Sequence, residues 1–176
     1  GETLSARGNS WLELDGDNSE PKISHRFTSS ESGVVIAGAG AGRAAVKFAE
    51  DVGWPLIAEP SSGARFGRTA VTNYRKVLAG NPDLLSEIRA AVVFGKPTLA
   101  RAVIAILRDP AVEVSVVKNP RMGFFDVTKR AKRQIDIAES DSVAGDVENL
   151  KHGWLARWKE AAKEAATGSA EASSAA

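Results

Sequence analysis

Hydrophobic positions in this chain come in short unbroken runs separated by stretches with helical periodicity. The first run, Val34-Val35-Ile36-Ala37, opens at Gly33 and closes on Gly38-Ala39-Gly40-Ala41-Gly42. A strand covered on both faces loses its polar/apolar alternation, and glycines let the backbone turn tightly into a following helix, predicted over 43–52. Trp54-Pro55-Leu56-Ile57-Ala58 reads as a second strand, stopped at Glu59-Pro60 and followed by an irregular loop over 61–68. Val71, Tyr74, Arg75 and Leu78 then resume a helical pattern. It breaks at Gly80 and restarts at Asn81, an N-cap residue with Pro82 at the first position of a short helix over 82–88.

Ala90-Ala91-Val92-Val93-Phe94-Gly95 predicts a third strand, and a helix over 97–107 carries Leu99, Val103, Ile106 and Leu107 on its apolar side. The stretch 112–117 alternates, which predicts a half-exposed strand toward a sheet edge. Gln134-Ile135-Asp136-Ile137-Ala138 is the last strand, and from Asp146 a helix sets Val147, Leu150, Trp154, Leu155 and Trp158 on one face.

Strands and helices alternating at this spacing predict an α/β fold, a Rossmann-like open and mostly parallel sheet of five or six strands with helices on both faces. Residues 1–32 are polar apart from Trp11, Leu12, Leu14, Ile23 and Phe27, and predict a linker docked at one or two points. The domain proper is expected over 33–166, with a disordered Ser/Ala-rich tail over 167–176. Opening on Gly1 without methionine, the chain is expected to be a piece cut from a longer one.

Composition narrows the chemistry. Lys and Arg (23) nearly balance Asp and Glu (22), so bulk charge draws the chain neither to nucleic acid nor to an anionic membrane. With no cysteine, disulfides, thiolate metal sites and cysteine nucleophiles are excluded, and the two histidines, His25 and His152, fall in peripheral segments. No membrane-spanning run or leader is found, so a soluble cytoplasmic protein is expected. Asp15-Gly16-Asp17-Asn18 reads as a turn, because the later ligands of a calcium loop are missing. The basic run Lys129-Arg130-Ala131-Lys132-Arg133 reads as solvated surface. No nucleophile elbow, zinc helix or P-loop is present, so no catalytic residue and no metal site are expected.

One cofactor reading comes from the residues themselves. Gly40-Ala41-Gly42-Arg43-Ala44-Ala45 satisfies G-x-G-x-x-A after a strand, and Glu59 ends the second strand, where a ribose-binding acid is expected. Gly40, Gly42 and Glu59 would then serve a free-standing dinucleotide-binding module. The same glycines equally suit a tight turn with close packing.

The run Gly53-Trp54-Pro55-Leu56-Ile57-Ala58-Glu59-Pro60-Ser61-Ser62-Gly63-Ala64-Arg65, with Val92-Val93-Phe94-Gly95-Lys96-Pro97-Thr98-Leu99-Ala100-Arg101 after it, resembles the central domain of the MenD family, the 2-succinyl-5-enolpyruvyl-6-hydroxy-3-cyclohexene-1-carboxylate synthases. The resemblance covers roughly 33–158. Lys96 departs from it, standing where the family commonly has arginine. The resemblance implies the fold of a thiamine-diphosphate enzyme's central domain. It also implies a parent enzyme of menaquinone biosynthesis that decarboxylates 2-oxoglutarate and adds the succinyl-semialdehyde unit to isochorismate. Thiamine diphosphate and magnesium belong to the full-length enzyme, held by an amino-terminal and a carboxyl-terminal domain; none is expected bound to this stretch, which alone is expected to be inactive. Its implied partners are those two domains of the same polypeptide, in an enzyme that is a homo-oligomer.

The resemblance and strand positions together single out an anion site. Ligands of open α/β sheets collect beyond the carboxyl ends of the strands. Arg65 follows the second strand, and Arg101 lies in the first turn or so of the helix after the third, with Arg68 and Lys96 close by and the helix N-terminus around 97–99 adding its dipole. Arginine's planar fork pairs with a carboxylate through two hydrogen bonds. The expected ligand is a small carboxylate, either substrate or an aromatic acid acting as a feedback signal. Otherwise each arginine merely covers its helix or pairs with an acid such as Glu59.

Overall fold

The computed structural model describes residues 24–28, 32–98, 100–121, 123–140 and 153–174. In chain order its elements are β1 (Ser24–Phe27), β2 (Gly33–Ala37), α1 (Gly42–Val52), β3 (Leu56–Ala58), a 3-10 turn (Pro60–Ser62), α2 (Tyr74–Gly80), α3 (Pro82–Ser86), β4 (Ala90–Phe94), α4 (Arg101–Arg108), β5 (Glu113–Val117), β6 (Arg133–Ile135), β7 (Ile137–Ser140) and α5 (Trp154–Ser174). The main sheet is five-stranded and wholly parallel in the order β3-β2-β4-β5-β6. This is the open α/β architecture that the buried runs predict. Within β2, Val35 pairs with Leu56 on one side and Val92 on the other.

Because side chains alternate across a strand, the sheet feeds two cores. Val35, Ala37, Val92 and Phe94 meet Ala45, Val46, Phe48, Ala49 and Val52 of α1, whose buried positions fall on one helical stripe. Val34, Ile36, Ala91 and Val93 meet α2, α4 and α5 on the opposite face. Helices therefore cover both faces. Among the described residues, no helix is long and apolar enough to cross a membrane.

Several expectations are corrected. The alternating stretch near 112–117 is no sheet edge: β5 lies between β4 and β6, and Val114 through Val117 are buried. Its Ser115 and Glu113 mimic half-exposure. The single last strand expected over 134–138 divides at Asp136 into β6, which takes the sheet edge, and β7, which pairs in parallel with β1 as a separate two-stranded sheet. Phe27 of β1 then packs edge-on against Phe48 and Trp54.

Asn81 is no side-chain N-cap, since its Nδ2 donates back to the carbonyl of Val77 at 3.0 Å. The helix expected from 97 begins only at Arg101. Lys96 is held by Ala39, the N–H of Thr98 by a carboxylate, and Ala100 is extended at φ −111° and ψ 118°. α5 runs to Ser174, through most of the stretch expected as a disordered tail, as its alanines favour helix. The positions expected to precede it, Val147 and Leu150, lie outside the described residues, as do His152, Leu99, Ile23 and the segment holding Trp11, Leu12, Leu14 and Asp15–Asn18.

Candidate anion site

The strand order reverses between β2 and β4, the position where open α/β sheets place a crevice. Here the two outgoing loops close on each other. Ala39 and Lys96 exchange backbone hydrogen bonds, and the N–H of Gly38 donates to Phe94, all at 2.9 Å. Two hollows remain on either side of this seam.

The first, of about 440 Å³, lies on the α1 face and is lined by Gly40, Ala41 and Ala44 together with Phe48, Phe94 and Val117. Its charges are already matched, since Lys47 pairs with Asp51 and Lys118 with Asp136. Gly40 is part of it, but Glu59 is not. That acid is wholly buried and takes the N–H of Thr98 on both oxygens, at 2.9 and 3.1 Å. The structure does not bring the glycine turn and Glu59 to one hollow.

The second hollow, of about 490 Å³, is lined by Arg75, Ala100, Arg101 and Ala102. A further groove shares Ala100 and Arg101 with it and continues along Thr98, Ile104 and Arg108. Arg101 is exposed at the first residue of α4, and neither it nor Arg75 forms an ion pair with any described residue. Tyr74, next to Arg75, is buried. Burial pushes its phenol above the ordinary value and Glu59 pushes it the same way, while Arg75 and Arg65 pull it down. As a neutral hydroxyl it remains a hydrogen-bond donor.

Of the four cations singled out from sequence, Arg101 lines the hollow, whereas Arg65 is exposed and is not among the residues that line it. The other two turn elsewhere. Arg68 belongs to α1: its backbone N–H donates to Glu50 at 2.7 Å and its Nε lies 4.0 Å from the same carboxylate. Lys96 stands over the ring of Phe125, 5.7 Å from its centroid. The helix dipole expected around 97–99 is displaced to Arg101, where α4 begins. Sequence reading missed Arg75, because nothing local marks a solvent-side helical arginine; only the packing of α2 beside α4 brings it to Arg101.

No family model matches the chain. Curated relatives do. The 2-succinyl-5-enolpyruvyl-6-hydroxy-3-cyclohexene-1-carboxylate synthase of Leifsonia xyli subsp. xyli is 51% identical over 86 residues, 49% of this chain and 14% of the relative. That of Kineococcus radiotolerans is 41% identical over 129 residues, 71% of the chain and 22% of the relative. That of Paenarthrobacter aurescens is 38% identical over 127 residues, again 71% and 22%. The matched stretch thus spans between 14% and 22% of the length of these relatives.

Proposed function

Since the chain is a MenD-like domain, a piece of the 2-succinyl-5-enolpyruvyl-6-hydroxy-3-cyclohexene-1-carboxylate synthase family, we propose that it is the central domain of a menaquinone-biosynthesis enzyme and that its arginines hold a carboxylate. On this reading the parent enzyme works in the cytoplasm as a homo-oligomer. It decarboxylates 2-oxoglutarate and adds the succinyl-semialdehyde unit to isochorismate. The domain's partners are the other two domains of the same polypeptide.

Magnesium takes several oxygen ligands, and among the described residues no three His, Cys, Asp or Glu side chains converge to hold a metal. By the resemblance, thiamine diphosphate and magnesium belong to the rest of the parent enzyme. This domain supplies a rigid sheet and a cationic hollow.

One observation carries the reading: Arg75 and Arg101 come from different helices, line one hollow and have no acid of their own among the described residues. Two guanidinium groups that line one hollow suit a carboxylate, which arginine's planar fork meets with paired N–H donors. The ligand is then the carboxylate of the substrate, or of an aromatic acid acting as a feedback signal. Calorimetric titration of the chain with 2-naphthoate and with 2-oxoglutarate tests this. Arg101→Ala and Arg75→Ala should each weaken the binding acid by about 1.5–3 kcal/mol, the scale of a charge-assisted hydrogen bond. Unchanged affinity in both variants rejects the site.

A further inference from the structure

Glu59 links the end of β3 to the chain just before α4. It follows β3 directly, and its own N–H donates to Ala37 at 2.9 Å, which fixes its backbone to the sheet. Its side chain is 0% exposed. Both carboxylate oxygens accept the N–H of Thr98, three residues before Arg101, and Ala100, next to Arg101, is extended. Its charge also acts on the buried phenol of Tyr74, the first residue of α2, with Arg75 next in sequence. Burying a carboxylate is a poor route to stability, because desolvation offsets most of what its partners return. A buried acid that holds the chain just ahead of a ligand-bearing helix makes sense as a device for position.

We propose that Glu59 is the positioning residue of the anion site: by holding the Thr98 N–H it keeps the lead into α4 extended, so that α4 starts at Arg101 and presents that side chain to the hollow shared with Arg75. The proposal rests on the arginine reading above. Without this clamp the sequence Pro97-Thr98 is free to begin the helix earlier, as its apolar periodicity predicts, and Arg101 moves into the helix body. Proline at the first helical position is well suited to such a start. Glu59 thus selects between two starts of the same helix.

The test uses the full 176-residue chain, with 2-naphthoate and 2-oxoglutarate as probes. Glu59→Leu keeps the volume and removes the acceptor; binding of the acid should weaken about tenfold or more. Glu59→Gln keeps an acceptor oxygen for Thr98 and should restore binding to within about twofold of the parent. The double variant with Arg101→Ala should bind no more weakly than Arg101→Ala alone, because residues acting through one another are not additive. If the parent binds, Arg101→Ala weakens it and Glu59→Leu does not, the positioning role is overturned while the arginine site stands. If Arg75→Ala and Arg101→Ala both leave affinity unchanged, the arginine site falls and this proposal falls with it. Should Glu59→Leu fail to fold, amide hydrogen exchange on the parent decides. A Thr98 amide that exchanges slowly, and more slowly still with the probe bound, supports the clamp. One that exchanges like an open loop amide overturns it.

Discussion

Ala39 and Lys96 exchange two backbone hydrogen bonds of 2.9 Å, tying the loop after β2 to the loop after β4 where the strand order reverses. Each loop needs a glycine to come that close. A Cβ on Gly38 would lie 2.1 Å from the backbone of Lys96 and Pro97, and one on Gly95, already at φ +68°, would lie 2.4 Å from the carbonyl oxygen of Ala39. The seam separates the two hollows and sets the segment that leads to Arg101.

Gly38→Ala should therefore destabilise the fold by about 1–3 kcal/mol or more, since the obstacle is backbone and cannot swing aside. Urea denaturation checks it. An unchanged midpoint would show that the loops separate freely.

Asp126 organises the turn before β6. Partial burial pushes its carboxyl up, but hydrogen bonds from the N–H groups of Ala131, Arg130 and Thr128 and from the Thr128 hydroxyl outweigh this, and the net shift is downward. A depressed carboxyl contributes stability above its unfolded value, ordinarily 3.8, and loses it as pH falls through the lower folded value. Asp126→Ala should cost about 1 kcal/mol near neutrality and flatten the acid limb of the stability profile. A variant curve parallel to the parent's down to low pH would contradict this.

Trp154 anchors α5 by donating its indole N–H to the carbonyl of Gly33 at 2.7 Å, at the start of β2. Trp154→Phe keeps the apolar ring and removes the donor, so it should lower stability by about 1 kcal/mol without altering the denaturant slope. A midpoint equal to the parent's would mean that water replaces the bond without loss.

Arg68 and Lys96 serve as internal contrasts to Arg101. Because Arg68 sits with Glu50 and Lys96 over Phe125, replacing either with alanine should change the affinity for 2-naphthoate by less than about 0.5 kcal/mol, the usual scale for surface charge. Calorimetry that finds a loss as large as that from Arg101→Ala would extend the site across the seam.

The fold was legible because buried parallel strands announce themselves: 34–37, 56–58 and 90–94 are continuous apolar runs ending in glycine or proline. What failed did so for tertiary reasons. Ser115 reads as a solvent-facing position but is buried between strands, and Gln134–Ala138 reads as one strand although Asp136 divides it between two sheets. Of the candidate site, Arg101 was visible through its place after a strand, whereas Arg75 was hidden in an ordinary helical pattern. The start of α4 was misjudged because the acid that holds Thr98 lies far back in the sequence, at Glu59.

The most direct test of the central claim is a backbone amide chemical-shift titration of the chain with 2-naphthoate. Saturable shifts should concentrate on Arg75, Thr98, Arg101 and Ala102, and Arg101→Ala should abolish them at the same concentrations. Shifts gathered instead on Gly40, Ala44 and Asn119, beside the glycine turn, would place the ligand on the wrong side of the seam and contradict it.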